Sequence, residues 1–130
     1  MDEPKTILVV EDNDFVRMQI VRFLDDAGYQ TLESSRGDEA VDMTSENKSI
    51  AMAIVDVRME PVDGFDYIRT IHGRNIEIPV ILVTGDDNPD LLDQSNKLGV
   101  DAVLMKPVEK DRLIKTVERT FMVYDRKANS

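Results

Sequence analysis

The fold is decided by residues 51–64, which read AMAIVDVRMEPVDG. An apolar run ends at Asp56, and the loop that follows contains Pro61 and Gly64. Continuous apolar runs are typical of strands that are buried on both faces, while proline and glycine mark turns. The pattern therefore predicts that Asp56 lies where a buried strand reaches the protein surface.

Three other apolar runs resemble the run before Asp56, and segments with helical periodicity separate them. They are residues 7–10 (ILVV), 80–83 (VILV) and 102–105 (AVLM). A fifth run, residues 29–34, mixes polar with apolar side chains, which indicates an edge strand. Buried strands that alternate with helices are the signature of a parallel sheet with helices on both faces.

We expect a three-layer α/β sandwich, with a five-stranded parallel sheet in the order 2-1-3-4-5 and a helix after each strand. The predicted helices cover residues 14–28, 37–46, 65–73, 90–98 and 109–124. Asp14 is the expected N-cap of the first helix, and Gly73 is the expected stop of the third. In this strand order the chain reverses direction between strands 1 and 3, whose C-terminal ends open a crevice that binds ligands.

The chain has 130 residues, which fits one domain with one hydrophobic core. We assign residues 1–124 to this domain and residues 125–130 to a frayed tail or the start of a linker. The absence of cysteine excludes disulfide and zinc–thiolate sites and fits a cytoplasmic location. The N-terminus has no signal pattern, and no apolar run approaches the roughly 18 residues of a membrane span. We therefore expect no membrane partner.

The charge balance is strongly acidic. There are 16 basic and 26 acidic side chains, which give a formal net charge of −10. Nucleic-acid binding depends on clustered Lys and Arg that neutralise phosphates. The composition therefore argues against direct nucleic-acid contact and favours proteins or cations as partners.

Four of the five predicted strands end in polar or charged side chains. These are Glu11 and Asp12 after strand 1, Asp56 after strand 3, Thr84 after strand 4, and Lys106 with Pro107 after strand 5. A helix dipole, a cap or a turn would explain any one of them. Because the C-terminal ends of parallel strands meet at one edge of the sheet, the set as a whole predicts a site there.

The chemistry explains why these residue types belong together. Three carboxylates a few ångströms apart raise one another's pKa unless a cation lies among them, and Mg²⁺ suits a site of few carboxylates and a backbone carbonyl. Such an ion would orient a phosphoryl group for in-line attack by an Asp56 oxygen. Lys106 adds a positive charge for the phosphoryl oxygens, and the Thr84 hydroxyl can donate a hydrogen bond to them.

From Ile7 to about Tyr124, the chain resembles the receiver domain of two-component response regulators, which has a flavodoxin-like (βα)5 fold. The family's motif positions are filled by Glu11, Asp12, Asp56, Thr84, Lys106 and Pro107, and Gly64 lies where the family carries its glycine. As a set, these positions are highly specific. The resemblance therefore covers nearly the whole chain.

The resemblance implies that a histidine kinase or a histidine phosphotransfer protein donates a phosphoryl group to Asp56. The implied Mg²⁺ ligands are Glu11, Asp12, Asp56 and the backbone carbonyl of Arg58. Phosphorylation is expected to draw Thr84 toward the site and to change the face of helix 4, strand 5 and helix 5, which binds a downstream protein or a fused output domain. The resemblance also implies that the chain catalyses only its own phosphorylation and dephosphorylation. We expect it to be a monomer or a weak dimer whose formation is linked to phosphorylation.

The chain departs from the family pattern in several side chains near the site. Receivers often carry an aromatic residue where this chain has Val103, and a β-branched side chain has little rotamer freedom. We therefore expect the loop after strand 4, and not an aromatic flip, to carry the conformational change. Glu60 stands where the family usually places proline, so the loop after strand 3 is expected to bend differently. Arg58 and Asp86 are expected to pair at the pocket mouth, where Arg58 shields the acyl phosphate from water.

Other functions share parts of this pattern. Phosphatases of the haloacid-dehalogenase type use an aspartate nucleophile after a buried strand, but they need a second Asp where this chain has Arg58. A degenerate, unphosphorylated interaction module would share the fold. Against this alternative, every position that the phosphorylation chemistry requires is filled in this chain. A flavin or nucleotide binder would need a glycine-rich phosphate loop after strand 1, which the sequence lacks. Whether the chain is a stand-alone receiver or part of a longer protein stays open.

Overall fold

The fold is an alternation of five strands and five helices, and the computed structural model describes residues 3–128. The strands are β1 (Thr6–Val10), β2 (Gln30–Ser34), β3 (Ile50–Asp56), β4 (Val80–Thr84) and β5 (Ala102–Met105). The helices are α1 (Asp14–Asp26), α2 (Gly37–Glu46), α3 (Gly64–Gly73), α4 (Pro89–Lys97) and α5 (Lys110–Ala128). All strand pairs are parallel, and the order β2-β1-β3-β4-β5 confirms the predicted sheet.

The core has two layers because side chains of the central strands alternate between the faces of the sheet. Ala53 and Val55 of β3 pack in the layer that contains α2 and α3, whereas Met52 and Ile54 pack in the layer of α1 and α5. All four side chains are buried. The apolar run before Asp56 is continuous because both faces of this strand are covered.

The helix bounds lie within two residues of the predicted ones, except at the end of α5. Asn13, not Asp14, caps α1, because its side-chain oxygen accepts the amide hydrogen of Val16 at 3.0 Å. Helix α3 ends at Gly73 as predicted, and the left-handed conformation, with φ of 61°, occurs two residues later at Asn75. The predicted end of the last helix at Tyr124 is also wrong: α5 continues to Ala128, and residues 129–130 of the predicted tail lie outside the described residues.

The helices bury narrower faces than their apolar residues suggest. In α1, Ile20 and Leu24 are buried, while Phe15 and Met18 are 69% and 56% exposed. In α4 the only buried side chain is that of Ser95, and Leu92 is exposed. Helix α4 is therefore held to the sheet by less apolar contact than its leucines predict. Among residues 3–128, no helix is long and apolar enough to cross a membrane.

Glycine allows the loop after Asp56 to pack closely against two helices. A methyl group at Gly64 would lie 2.7 Å from the Asp56 carbonyl oxygen and 3.1 Å from the Val57 Cα. The Gly64 amide donates a hydrogen bond to the Val57 carbonyl at 2.9 Å. On the other side, a methyl group at Gly37 would lie 2.4 Å from the Val62 carbonyl oxygen. These backbone contacts fix the position of the loop.

We predict that Gly64→Ala destabilises the protein by about 1–3 kcal/mol, because a Cβ there forces backbone atoms beneath Asp56 to move. The matched control is Gly73→Ala, since nothing lies within 4 Å of a Cβ at that helical position. That change should leave stability unchanged or raise it by less than about 1 kcal/mol. Urea unfolding of both variants measures the difference, and equal stabilities would contradict the close-approach explanation.

Candidate functional site

The predicted site residues meet in one open cavity at the C-terminal edge of the sheet. The cavity has a volume of about 640 Å³. The predicted residues that line it are Glu11, Asp12, Asp56, Arg58, Thr84, Asp86 and Lys106. In the sheet, β3 lies between β1 and β4, and Asp56 pairs in register with Val83. The strand order thus brings together residues that are up to 95 positions apart in the sequence, from Glu11 to Lys106.

Three carboxylates form the floor and rim of the cavity. Carboxylate oxygens of Glu11, Asp12 and Asp56 all lie within 4.8 Å of one another. Glu11 and Asp56 are buried, whereas Asp12 is exposed to solvent. A compact set of hard oxygen donors with one open side matches the ligands that Mg²⁺ prefers. These residues could therefore hold a divalent cation.

Lys106 places its ammonium group between the two buried acids. The Nζ atom lies 2.8 Å from Glu11 Oε1 and 3.3 Å from Asp56 Oδ1. The Lys106 backbone amide donates to the Thr84 carbonyl at 2.8 Å, which holds the end of β5 against the end of β4. Burial disfavours the charged ammonium, but the contacts with Glu11 and Asp56 outweigh this effect and raise the pKa of Lys106. The lysine therefore stays charged.

Glu11 is the most strongly perturbed acid of the site. Burial is the largest effect and raises the pKa of its carboxyl group to about 7. The charge of Asp56 also raises this pKa, whereas the contact with Lys106 and the hydrogen bond from Asn13 lower it. The Asn13 amide donates to Glu11 Oε2 at 3.1 Å. The site therefore contains an acid that changes its charge near neutral pH in the absence of a bound cation.

Two residues that support Glu11 were missed in the sequence analysis. Arg17 donates to the Glu11 carbonyl oxygen at 2.7 Å and forms ion pairs with Asp14 and Glu33. Asn13 both caps α1 and donates to the Glu11 carboxylate. The spacing of Asp14 and Arg17 indicates a helix-surface pair, but no sequence signal predicts the reach of Arg17 to the end of β1.

The predicted pair at the cavity mouth is present. Arg58 donates from Nη2 to Asp86 Oδ2, so the loop after β3 and the loop after β4 are connected by an ion pair. The Thr84 hydroxyl oxygen accepts the Asp86 amide hydrogen at 3.0 Å. The contact is thus confirmed, whereas the shielding role of Arg58 stays a prediction.

The other two residues predicted to modulate the site lie beside it. Val103 is half-buried and packs against the core layer of α2 and α3. Glu60 is exposed and lines a neighbouring groove with Asp12 and Arg58, and its peptide bond to Pro61 is cis. Their effects on the site stay predictions, as does the Arg58 carbonyl as a metal ligand.

Comparison with known proteins settles the family. A family model described as the response regulator receiver domain matches residues 7–118. The chain is a response regulator receiver domain. This family belongs to two-component signalling, and its members interact with histidine kinases and output domains.

Individual relatives agree with this family. The chain is 31% identical over 116 residues to the transcriptional regulatory protein PdtaR of Mycobacterium tuberculosis, which covers 88% of this chain and 56% of the relative. It is 31% identical over 108 residues to a cyclic di-GMP phosphodiesterase of Thermotoga maritima, covering 83% of this chain and 28% of that protein. The chain thus spans 56% of the length of the first relative and 28% of the length of the second.

A solved structure of a response regulator receiver protein from Pseudomonas putida has the same fold. The two structures superpose with a TM-score of 0.82 at 31% sequence identity. The alignment covers 92% of this receiver and 99% of the other chain. The receiver fold thus accounts for nearly all of the chain.

We predict a pH dependence of stability that comes from Glu11. Its pKa is about 7 in the folded protein and 4.5 for an unperturbed glutamate, so the folded state binds the extra proton between these values. Without divalent cations, the stability of the wild type relative to Glu11→Gln should therefore fall as pH rises from about 4.5 to about 7. Chemical unfolding at a series of pH values measures this difference.

The matched control for this experiment is Glu46→Gln, an acid-to-amide change at an exposed position at the end of α2. Its stability curve should run parallel to that of the wild type. If the Glu11→Gln curve were also parallel to the wild type across this pH range, the perturbed titration of Glu11 would be contradicted.

Proposed function

We propose that Asp56 is the phosphoryl acceptor of a two-component phosphorelay. The supporting observation is the placement of its buried carboxylate at an open cavity, 3.3 Å from the Lys106 ammonium and within 4.8 Å of the carboxylate oxygens of Glu11 and Asp12. This arrangement leaves a nucleophilic oxygen accessible to a donor. It also places positive charge where the anionic phosphoryl group arrives.

The proposed reaction is a direct transfer. An Asp56 carboxylate oxygen attacks the phosphorus of a phosphohistidine, the phosphorus–nitrogen bond breaks, and the nitrogen leaves with the electron pair and takes up a proton. The product is an acyl phosphate on Asp56. Lys106 contacts the phosphoryl oxygens as a point charge, and the Thr84 hydroxyl, which has its own proton to donate, forms a hydrogen bond to them.

The acidic cluster fits Mg²⁺ by the chemistry of its donors. Glu11, Asp12 and Asp56 would hold the ion together with the backbone carbonyl of Arg58. When bound, the ion supplies positive charge that offsets the charge of the carboxylates and of the phosphoryl oxygens. Binding requires that Glu11 give up the proton that it retains near neutral pH without a cation.

The proposed donor is a histidine kinase or a histidine phosphotransfer protein. Phe15 and Met18 expose apolar surface on α1, and Val16, which follows Phe15 in the sequence, lines the cavity of Asp56. A partner that covers this patch brings its phosphohistidine toward the acceptor, and burial of apolar surface stabilises the complex. We place this exchange in the cytoplasm.

The proposed output leaves through α4, β5 and α5, toward a downstream protein or a fused output domain. We infer no reaction on a separate substrate. A phosphatase of the haloacid-dehalogenase type would need a second acid two residues after Asp56, and Arg58 occupies that position and pairs with Asp86. Nothing in the geometry favours the phosphatase or an unphosphorylated interaction module.

Phosphoramidate, a small donor with a phosphorus–nitrogen bond, tests the acceptor directly. We predict that incubation with phosphoramidate and Mg²⁺ adds one phosphoryl group to the wild type, measured by intact mass, and that removal of Mg²⁺ prevents the addition. Asp56→Asn should stay unmodified because it lacks the nucleophilic carboxylate. Asp93→Asn, an acid-to-amide change on the exposed side of α4, should react like the wild type. No modification of the wild type would reject the proposal.

We predict that Arg58→Ala shortens the lifetime of the phosphorylated protein by about two- to fivefold, the scale of one exposed ionic contact. The reason is that Arg58 covers the acyl phosphate against attacking water. Release of inorganic phosphate after removal of the donor measures the rate. The control is Arg69→Ala, which removes an exposed arginine that pairs with Asp66 on α3. An unchanged rate in Arg58→Ala would show that Arg58 does not shield the site.

A further inference from the structure

A series of local hydrogen bonds connects the Thr84 hydroxyl to the start of α4. Thr84 Oγ1 accepts the Asp86 amide hydrogen at 3.0 Å, and Asp86 Oδ1 accepts the Asn88 amide hydrogen at 2.9 Å. Asn88 Oδ1 in turn accepts the Asp90 amide hydrogen at 3.0 Å and caps α4. Asp86 thus contacts Thr84 with its backbone and the helix cap with its side chain.

The second carboxylate oxygen of Asp86 is held from across the cavity mouth. It pairs with Arg58, whose side chain is 71% exposed. The hydrogen bond from Arg58 lowers the pKa of Asp86, so its carboxylate is charged at neutral pH. An exposed pair of this kind is weak and exchanges partners readily. The loop after β4 is therefore held in place by a contact that a stronger anion can replace.

A phosphoryl group on Asp56 would be such an anion. Arg58 lies two residues after Asp56, and charge-assisted hydrogen bonds from arginine to phosphate are strong and often bidentate. The Thr84 hydroxyl is buried, lines the same cavity as Asp56 and accepts the Asp86 amide hydrogen, so a turn of this hydroxyl toward the phosphoryl group would break its contact with the loop. That turn is easier when Asp86 is free to move.

We propose that Asp86 is a positioning residue that acts through Thr84. Its ion pair with Arg58 holds the Thr84 hydroxyl on the loop in the unphosphorylated protein, and transfer of Arg58 to the phosphoryl oxygens on Asp56 releases it. Release loosens the cap of α4, in which only Ser95 is fully buried and Leu91 is partly buried against the core, so that this helix is held by less apolar contact than α3. Only the transfer step depends on the proposed phosphorylation of Asp56.

The first test uses the unphosphorylated protein. Three-bond ¹³C couplings report the χ1 rotamer of Thr84, and amide hydrogen exchange at residues 85–88 and at Asp90 reports the opening of the loop. In Asp86→Asn, which keeps the backbone amide but loses the charge, the Thr84 couplings should become averaged. Exchange of these amides should rise about two- to fivefold, as expected for loss of one exposed ion pair. The wild type should show a single Thr84 rotamer.

The chain offers a matched control one position away. Asp87 is exposed, lines the same cavity, and its carboxylate makes no ion pair or hydrogen bond within residues 3–128. Asp87→Asn removes the same charge and should leave the Thr84 couplings and the loop exchange as in the wild type. If Asp86→Asn behaved like Asp87→Asn, the positioning role of Asp86 would be wrong.

Variants of Arg58 separate the ion pair from a general structural effect. Arg58→Ala should change the Thr84 couplings as Asp86→Asn does, and the double variant should show no further change, because both remove the same contact. Arg58→Lys keeps a positive charge and should restore most of the wild-type couplings. An additive double variant would overturn the proposed connection between Arg58 and Asp86, even if the thermal stability of every variant stayed equal.

The transfer step is tested with beryllium fluoride, a mimic of the phosphoryl group, in the presence of Mg²⁺. Asp86→Asn should bind it about two- to fivefold more tightly than the wild type or Asp87→Asn, because the pair no longer has to be broken. Altered Thr84 couplings with unchanged affinity would overturn the transfer step alone. If the wild type bound no beryllium fluoride and accepted no phosphoryl group, both the phosphoacceptor function and the transfer step would be rejected. The coupling measurements on the unphosphorylated protein would still decide the positioning role of Asp86.

Discussion

The contact of Lys106 with Glu11 and Asp56 is the interaction on which the site depends. Two carboxylates are buried at the ends of adjacent strands, where each raises the energy of the other's charge. Lys106 reaches both from β5, which is separated from β3 by β4. The sheet order is therefore coupled to the electrostatics, because it brings the end of β5 close enough for the ammonium group to contact both acids.

The balance of charge at the site remains negative. When all groups are ionised, the carboxylates of Glu11, Asp12 and Asp56 exceed the single ammonium of Lys106 by two charges. Burial is the main cause of the raised pKa of Glu11, and the charge of Asp56 adds to it, so that without a further cation the protein retains a proton there near neutral pH. A divalent cation would remove this imbalance. Functional sites commonly retain such unfavourable charge because ligand binding compensates for it.

The strand pattern predicted the sheet and the members of the site, because parallel strands deliver their C-terminal residues to one edge whatever the helices do. The details that failed lie on helices. Phe15 and Met18 fit the apolar spacing of α1, but Ile20 and Leu24 face the core, since α1 carries apolar residues around much of its circumference. The reach of Arg17 to Glu11 depends on the crossing of α1 over the sheet, which no local pattern encodes.

The two loops beside Asp56 are held by different physical means. Gly64 and Gly37 let the loop after β3 pack against the backbone of its neighbours, so that this side of the cavity can move only if two helices move. The loop after β4 is held by polar contacts of Asp86 and Asn88, and the helix that follows buries only one side chain, that of Ser95. Asp56 therefore lies between a closely packed loop after β3 and a more weakly held loop after β4. If Asp56 accepts a phosphoryl group as proposed, the loop after β4 and helix α4 would therefore move more easily than the loop after β3.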